Sequence, residues 1–442
     1  MWRIGYNCAI PGNQIDMTIS LGCIADDFTG ATDLGLLIKQ AGYSVIQTIG
    51  IPDVSELPAS DAVVVALKSR TNPADEAVKE TIDAYRTLSE LGAEQFFFKY
   101  CSTFDSTEKG NIGPVADSLL QATSATVAVV CPAFPANGRT VYKGNLFVHD
   151  QPLSESPMRN HPLTPMRDSN LLRVLQAQSR SSIALVPLEI VEQGADRLRQ
   201  CWQLAGGNGK TLMVVDAVND NHLKIIGEAV LDHPLVTGGS ALGAALVQAK
   251  ITAGAGVAER QNDYSVDMPV GGSVVLAGSC SDATLKQITF ARQNMPGLKL
   301  DIDQIAAGHF DAAKVLDWAQ PFLKKTPVLI YASESAAERA CRDCEVSNQI
   351  IGERIEQAMA ELVPALVNAG VRRFVVAGGE TSGSVVQSLG VRYLHIADEI
   401  DPGVPWTVSN GPLPVGLALK SGNFGGEDFF IKSLSMVGAF AQ

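Results

Sequence analysis

Runs of aliphatic and β-branched residues punctuate the chain, separated by stretches whose apolar positions recur every three to four residues. The runs SLGCIA, AVVVAL, QFFFKY, TVAVVC, SIALVPL and TLMVVDA are continuous rather than alternating, which predicts strands buried on both faces. Between them, residues 73–92 and 187–206 carry helical periodicity. Strand and helix in repeated succession predict an α/β protein of largely parallel sheets flanked by helices. The pattern lapses over 253–272, which is polar and glycine-rich, and restarts at SVVLAG. VLIYAS, RFVVAGG and RYLHIA follow, with a long helix expected from about Asn348 to Ala369 and a kink at Pro364. The expected division is an N-terminal domain over 17–255, a linker over 256–270 and a C-terminal domain over 271–442, with residues 1–16 an extension before an ordered start at Met17.

A chain of 442 residues, 46% of them hydrophobic, exceeds what one core usually serves, in keeping with two domains. Its formal charge of −13 disfavours nucleic acid and anionic membrane as partners. The opening MWRIGYNCAIPGNQIDM has one Arg and no sustained apolar stretch, unlike a signal or transit peptide, and no apolar run reaches the roughly 18 residues of a membrane span. A cytoplasmic protein is expected. Eight scattered Cys read as reduced thiols, and Cys341 and Cys344 lack the second pair that a zinc site needs.

In open α/β sheets ligands collect beyond the carboxyl ends of strands, so candidate chemistry is sought there. FVVAGGETSGSVV places Gly378 and Gly379 at a sharp turn before a helix that Thr381 or Ser382 can cap, a plausible phosphate cradle. LALKSGNFGGEDFF, with Gly422 and Gly425, and VVLAGSCSDAT, with Ser279 and Ser281, repeat the arrangement. Three such loops favour a nucleotide site built from backbone amides over ordinary turns. GGNGKT, residues 206–211, is a decoy: Leu204 stands where a P-loop has its first Gly, and a strand follows. The GxGxxG fingerprint of dinucleotide enzymes is also missing after the first strand, against an oxidoreductase.

The first half offers a different chemistry. Asp26 and Asp27 stand together at a strand end, a repulsion tolerable where something electropositive lies nearby; alternatively Asp26 caps a helix starting near Ala31. Lys68, Ser69 and Arg70 follow another strand, and Arg can grip a carboxylate with two prongs. Lys99, Ser102, Thr103, Asp105 and Asn111 crowd one loop with ammonium, hydroxyl and amide groups suited to a small polyhydroxylated anion. His161, in the proline-rich segment 148–170, is a candidate base or a hydrogen-bonded spacer.

Taken together, IADDFTGATD, KYCSTFDSTEKGNIGP, HPLTPM, AGGETSG and LALKSGNFGGEDFF resemble the four-carbon acid sugar kinase family from about Leu21 to the C-terminus. The resemblance implies an N-terminal sugar-acid domain, a C-terminal nucleotide domain and an active site between them. Transfer from ATP, with Mg²⁺, to the terminal hydroxyl of a four-carbon acid such as 3-oxo-tetronate, threonate or erythronate is what it leads one to expect. It implies that Ser279 or Ser281, the loop Gly378, Gly379, Glu380, Thr381 and Ser382, and Gly422 and Gly425 hold ATP, and that the N-terminal motifs hold the acid. Asp26 and Asp27 would divide the handling of the hydroxyl and of a cation, in an order the sequence leaves open, and the metal ligands stay unassigned. The partners are then the sugar acid and ATP, with a homodimer allowed. The extension before Met17 and the basic SESPMRNHPLTPMRDSN depart from the family pattern. A nucleotide-gated sugar-acid sensor without turnover is the competing function.

Overall fold

The computed structural model describes residues 19–161, 163–207, 209–254, 266–340 and 346–440. The extension, most of the linker and the Cys341–Cys344 pair lie outside the described residues, as does Met17. Among the described residues the first half holds eleven strands, β1 Leu21–Ala25, β2 Val45–Ile49, β3 Ala62–Ala66, β4 Phe96–Lys99, β5 Val127–Cys131, β6 Arg139–Tyr142, β7 Asn145–Val148, β8 Gln151–Pro152, β9 Ser182–Val186, β10 Thr211–Val215 and β11 Leu235–Gly238, of which β1, β3, β4, β5, β9 and β10 are the six apolar runs. The second half contributes β12 Gly272–Ala277, β13 Gly297–Lys299, β14 Val328–Tyr331, β15 Val371–Ala377, β16 Tyr393–Asp401, β17 Val404–Ser409 and β18 Gly416–Lys420.

Fifteen of these form one sheet in the order β13-β14-β12-β15-β18-β17-β16-β2-β3-β1-β4-β11-β5-β10-β9, while β6, β7 and β8 make a small antiparallel sheet. From β2 to β9 every neighbour is parallel, and so is every neighbour from β13 to β18. Helices cover these parallel strands, so β1, β3, β4 and β5 are buried along their whole length and read as unbroken apolar runs. Three antiparallel junctions, β18–β17, β17–β16 and β16–β2, join the two sets. The α/β reading stands, and the two sets are fused at an edge rather than separate sheets.

The seam is held from one face by the first helix, α1 (Phe28–Ala41). Gly35 admits the side chain of Ile396, because a Cβ there would lie 3.2 Å from its Cδ1. Lys39 Nζ donates to the Ile396 carbonyl at 2.7 Å. One helix expectation changes in detail. Residues 187–206 split into Leu188–Val191 and Ala195–Gly206, since Gly194 adopts φ 94°, which ends one helix and starts the other. The long helix spans Asn348–Asn368, within a residue of its expected end, with Pro364 inside it. Among the described residues no helix is long and apolar enough to cross a membrane.

Candidate functional site

β1 lies between β3 and β4, so the loops that leave these three strands converge at the point where strand order reverses. Asp27 is the N-cap of α1: its Oδ1 accepts from Gly30 N at 3.1 Å and its Oδ2 from Thr29 Oγ1 at 2.8 Å. The helix thus begins at Phe28 and it is Asp27, not Asp26, that caps it. The positive charge beside the aspartate pair is Arg70. Its Nε and Nη2 reach the two oxygens of Asp26 at 3.0 and 2.7 Å, and Nη2 also reaches Asp27 Oδ1 at 2.7 Å. Asp105 Oδ2 stands 3.6 Å from Nη1. Asn111 fixes the loop that carries Arg70 by donating Nδ2 to the carbonyls of Ser69 and Asn72, both at 2.8 Å.

Buried Lys99 lies on the other side of Asp27: a Cβ on Gly30 would sit 2.2 Å from Asp27 Oδ1 and 2.9 Å from Lys99 Nζ. The glycine of DDFTG therefore gives cation and carboxylate their room. Burial raises the proton affinity of both aspartates, but for Asp27 it is outweighed by Arg70, Lys99 and the bonds from Thr29 and Gly30, leaving its pKa lowered. For Asp26 burial prevails over the pull of Arg70, and the pKa is raised. Two adjacent carboxylates with proton affinities driven apart are suited to different tasks.

The loop after β4 is held in unusual backbone geometry, with Phe104 at φ 67° and Asp105 at φ 43°. Thr103 Oγ1 donates to Asp105 Oδ1 at 2.7 Å, orienting the carboxylate toward Arg70. Asp26, Ser69, Arg70, Asp105 and Asn111 line one small cavity. Ser102 is half-buried beside them in sequence. His161 accepts at Nδ1 from the backbone N–H of Thr164 at 3.1 Å and lies 2.9 Å from its hydroxyl.

In the second half β12, β15 and β18 are neighbours, so their three glycine-rich loops interlock. A Cβ on Gly278 would lie 2.3 Å from Thr381 Oγ1, and one on Gly422 would lie 2.4 Å from Ser279 Oγ. Ser281 caps the helix Asp282–Ala291 and donates its hydroxyl to Gly422 O at 2.6 Å. Gly378 and Gly425 adopt φ 127° and 81°, conformations that side chains disfavour. The helix Gly379–Ser388 has Gly378 as N-cap and no side-chain cap, so Thr381 and Ser382 do not cap it and lie within its first turn. An uncapped helix start leaves free amides for an anion.

Lys68 departs from the Arg70 cluster and crosses to the other half, where its Nζ meets Glu380 Oε2 at 2.7 Å and Glu356 Oε2 at 3.5 Å. Nearby, a Cβ on Gly383 would touch the Phe28 ring at 3.1 Å, so α1 and the helix Gly379–Ser388 meet closely. The residues after β1 and β3 thus adjoin the loop after β15.

Sequence reasoning gave no role to three groups near these loops. Asp33, nearly two α1 turns beyond the pair, accepts from Ser240 Oγ at 2.5 Å, and burial raises its pKa to about 6. Gln287 donates to the carbonyls of Phe424, Gly425 and Gly426 at 2.9 to 3.1 Å. Lys420 ends β18 fully buried. A polar residue at a strand end was the available signal for Lys420, while a polar residue inside a helix, as at Asp33 and Gln287, gives none.

A family model described as a sugar-binding N-terminal domain matches residues 21–246, and one described as a nucleotide-binding C-terminal domain matches 274–430. The chain belongs to the four-carbon acid sugar kinase family. As a member of that family it is a carbohydrate kinase with a nucleotide-binding C-terminal domain. The 3-oxo-tetronate kinase of Burkholderia multivorans is 48% identical over 94% of this chain and 96% of its own length. The enzyme of the same name from Pseudomonas savastanoi pv. phaseolicola is 48% identical over 95% and 98%. Among solved structures, a Haemophilus influenzae protein of a domain family of unknown function matches with TM-score 0.75 and 41% identity, covering 94% of this chain and all of its own. A Salmonella typhimurium LT2 protein labelled a tRNA synthase matches with TM-score 0.81 and 39% identity, covering 94% and 98%.

Proposed function

We propose that this kinase transfers the γ-phosphoryl group of ATP to the terminal hydroxyl of a four-carbon sugar acid, with 3-oxo-tetronate the first choice. The observation that carries this reading is the junction of two unlike sites: a carboxylate pair clamped by Arg70 and Lys99 adjoins, through Lys68–Glu380 and Phe28–Gly383, an uncapped helix start among three interlocked glycine loops. The names of the 3-oxo-tetronate kinases, about half identical over nearly the whole chain, support the choice of acid.

In this reading the N-terminal domain of 17–255 presents the acid and the C-terminal domain of 271–442 presents the nucleotide. Arg70, Lys99 and the loop hydroxyls bind and orient the acid. Asp27, kept ionised by its neighbours and with about a quarter of its side chain exposed, accepts the proton of the attacking hydroxyl. Asp26, nearly enclosed, holds Arg70 in place. Backbone amides of the loops 278–281, 378–382 and 421–425 bind the phosphates.

Among the described residues no group of three or more acidic, His or Cys side chains could cage a metal. Asp27, less enclosed than Asp26 and Asp105, is the site carboxylate that would hold a Mg²⁺ brought by the nucleotide. When bound, the ion supplies charge neutralisation for the phosphates.

ADP release followed with a panel of 3-oxo-tetronate, D-threonate, L-threonate and erythronate tests the assignment. Turnover greatest with 3-oxo-tetronate is expected. Turnover with a threonate or erythronate alone would move the substrate within the family, and release of ADP with none of the four would leave the sensor reading in its place.

A further inference from the structure

Lys420 is a buried amine that, among the described residues, no acidic side chain pairs with. The residue is fully enclosed, and its Nζ donates to Thr284 Oγ1 at 3.1 Å and to Gly422 O at 3.0 Å. Its nearest ring is Phe429, 6.0 Å from Nζ to the centroid. The charged groups on the elements packed around β18 are all placed elsewhere. Glu380 is held by Lys68, Asp33 by Ser240, and Lys432 by Asp401. Arg373 donates to Pro269 O, and Asp282, Lys286 and Asp428 form no ion pair with Lys420 among the described residues. A buried ammonium without an anion is costly unless an anion arrives.

The carbonyl it grips belongs to the loop after β18, one of the three that form the nucleotide site in that reading. Gly422 O accepts from Lys420, Ser281 and Thr284 together, and the Cα of Gly422 faces Ser279 Oγ. Resting on the reading of these loops as the phosphate site, we propose that Lys420 is a positioning residue whose charge is matched by the phosphates of the bound nucleotide, so that nucleotide binding draws a proton onto the chain. Burial alone lowers its pKa to about 7, so near neutral pH the free protein is divided between charged and neutral forms. Phosphate bound above the loop favours the ammonium and raises that pKa. Affinity is therefore full below pH 7 and falls as pH rises, until the pKa of the bound form is passed.

Calorimetric titration of the full chain with ADP and Mg²⁺ between pH 7 and 9, in two buffers of different ionisation heat, reads the linkage directly. ADP itself is nearly fully ionised there, its second phosphate pKa being about 6. For the wild type, affinity is expected to fall by up to about tenfold per pH unit, with net uptake of up to one proton per ADP. Lys420→Met is expected to bind ADP at least about tenfold more weakly at pH 7, with the slope and the proton uptake gone. If Lys420→Met does not fold, the wild-type slope and uptake decide alone. ADP binding of the wild type that is flat with pH and takes up no proton overturns the proposal, as does a Lys420→Met chain with wild-type affinity and slope. No ADP binding by the wild type at any pH overturns instead the placing of the nucleotide on these loops.

Discussion

At the scale of single residues the site is governed by one guanidinium. Arg70 is ion-paired with two carboxylates, and Asp26 is almost wholly enclosed. Arg70→Met leaves two adjacent acids without their shared cation, a loss of about 3–5 kcal/mol in denaturant unfolding at pH 7, and abolishes turnover. Arg70→Met combined with Asp26→Asn is expected to recover part of that stability and none of the turnover. Asp27→Asn keeps the cap geometry that the amide oxygen can still provide, so the fold is retained while turnover in the ADP-release assay drops by about two orders of magnitude or more. Asp33 responds to pH. Its folded pKa, about 6, exceeds the unfolded value, so the folded chain holds the extra proton between roughly pH 4 and 6 and this contribution is lost as pH rises through that window. Relative to wild type, Asp33→Asn should gain up to about 3 kcal/mol on going from pH 4 to 7, read from paired urea curves. The aspartate pair was legible as an electrostatic demand in the sequence; its answer was not, because Arg70 lies in another loop and looked like an ordinary basic strand end.

At the scale of elements, glycine decides which loops and helices can touch. The three glycine loops were legible because each follows an apolar strand with the same small-residue grammar. Their interlocking was not, since it depends on β12, β15 and β18 being neighbours. Gly422→Ala drives a Cβ into Ser279 Oγ, where the loops after β18 and β12 meet, and should weaken ADP binding by about tenfold or more, with sugar-acid binding little changed. Adding Ser279→Ala removes the clashing hydroxyl; if calorimetry finds no partial rescue, close packing of these two residues is not what the glycine serves. The same reasoning explains why an expected single helix over 187–206 became two: Gly194 has a backbone angle that a helix cannot contain.

At the scale of the whole molecule, the fifteen-stranded sheet makes the halves one mechanical unit along β2–β16, while near the site Lys68 links them through ion pairs to Glu380 and Glu356. Lys68 and Glu380 are each nearly half exposed, so their contact adds little to stability. Lys68→Ala should leave the melting temperature almost unchanged yet lower kcat, and a large fall in melting temperature with normal kcat would show the pair to be structural. The α/β class and the approximate halves were visible in the alternation of strand and helix. The seam was invisible because Lys39 and Ile396, which tie it, are 357 residues apart, and no local pattern reports so distant an antiparallel pairing. That distance also bears on biosynthesis. When the first 250 residues have left the ribosome, Val45–Ile49 is an open border, and its partner emerges only with the last fifty residues. The nascent chain must keep that border from foreign strands throughout, so closing the seam is a late step of maturation.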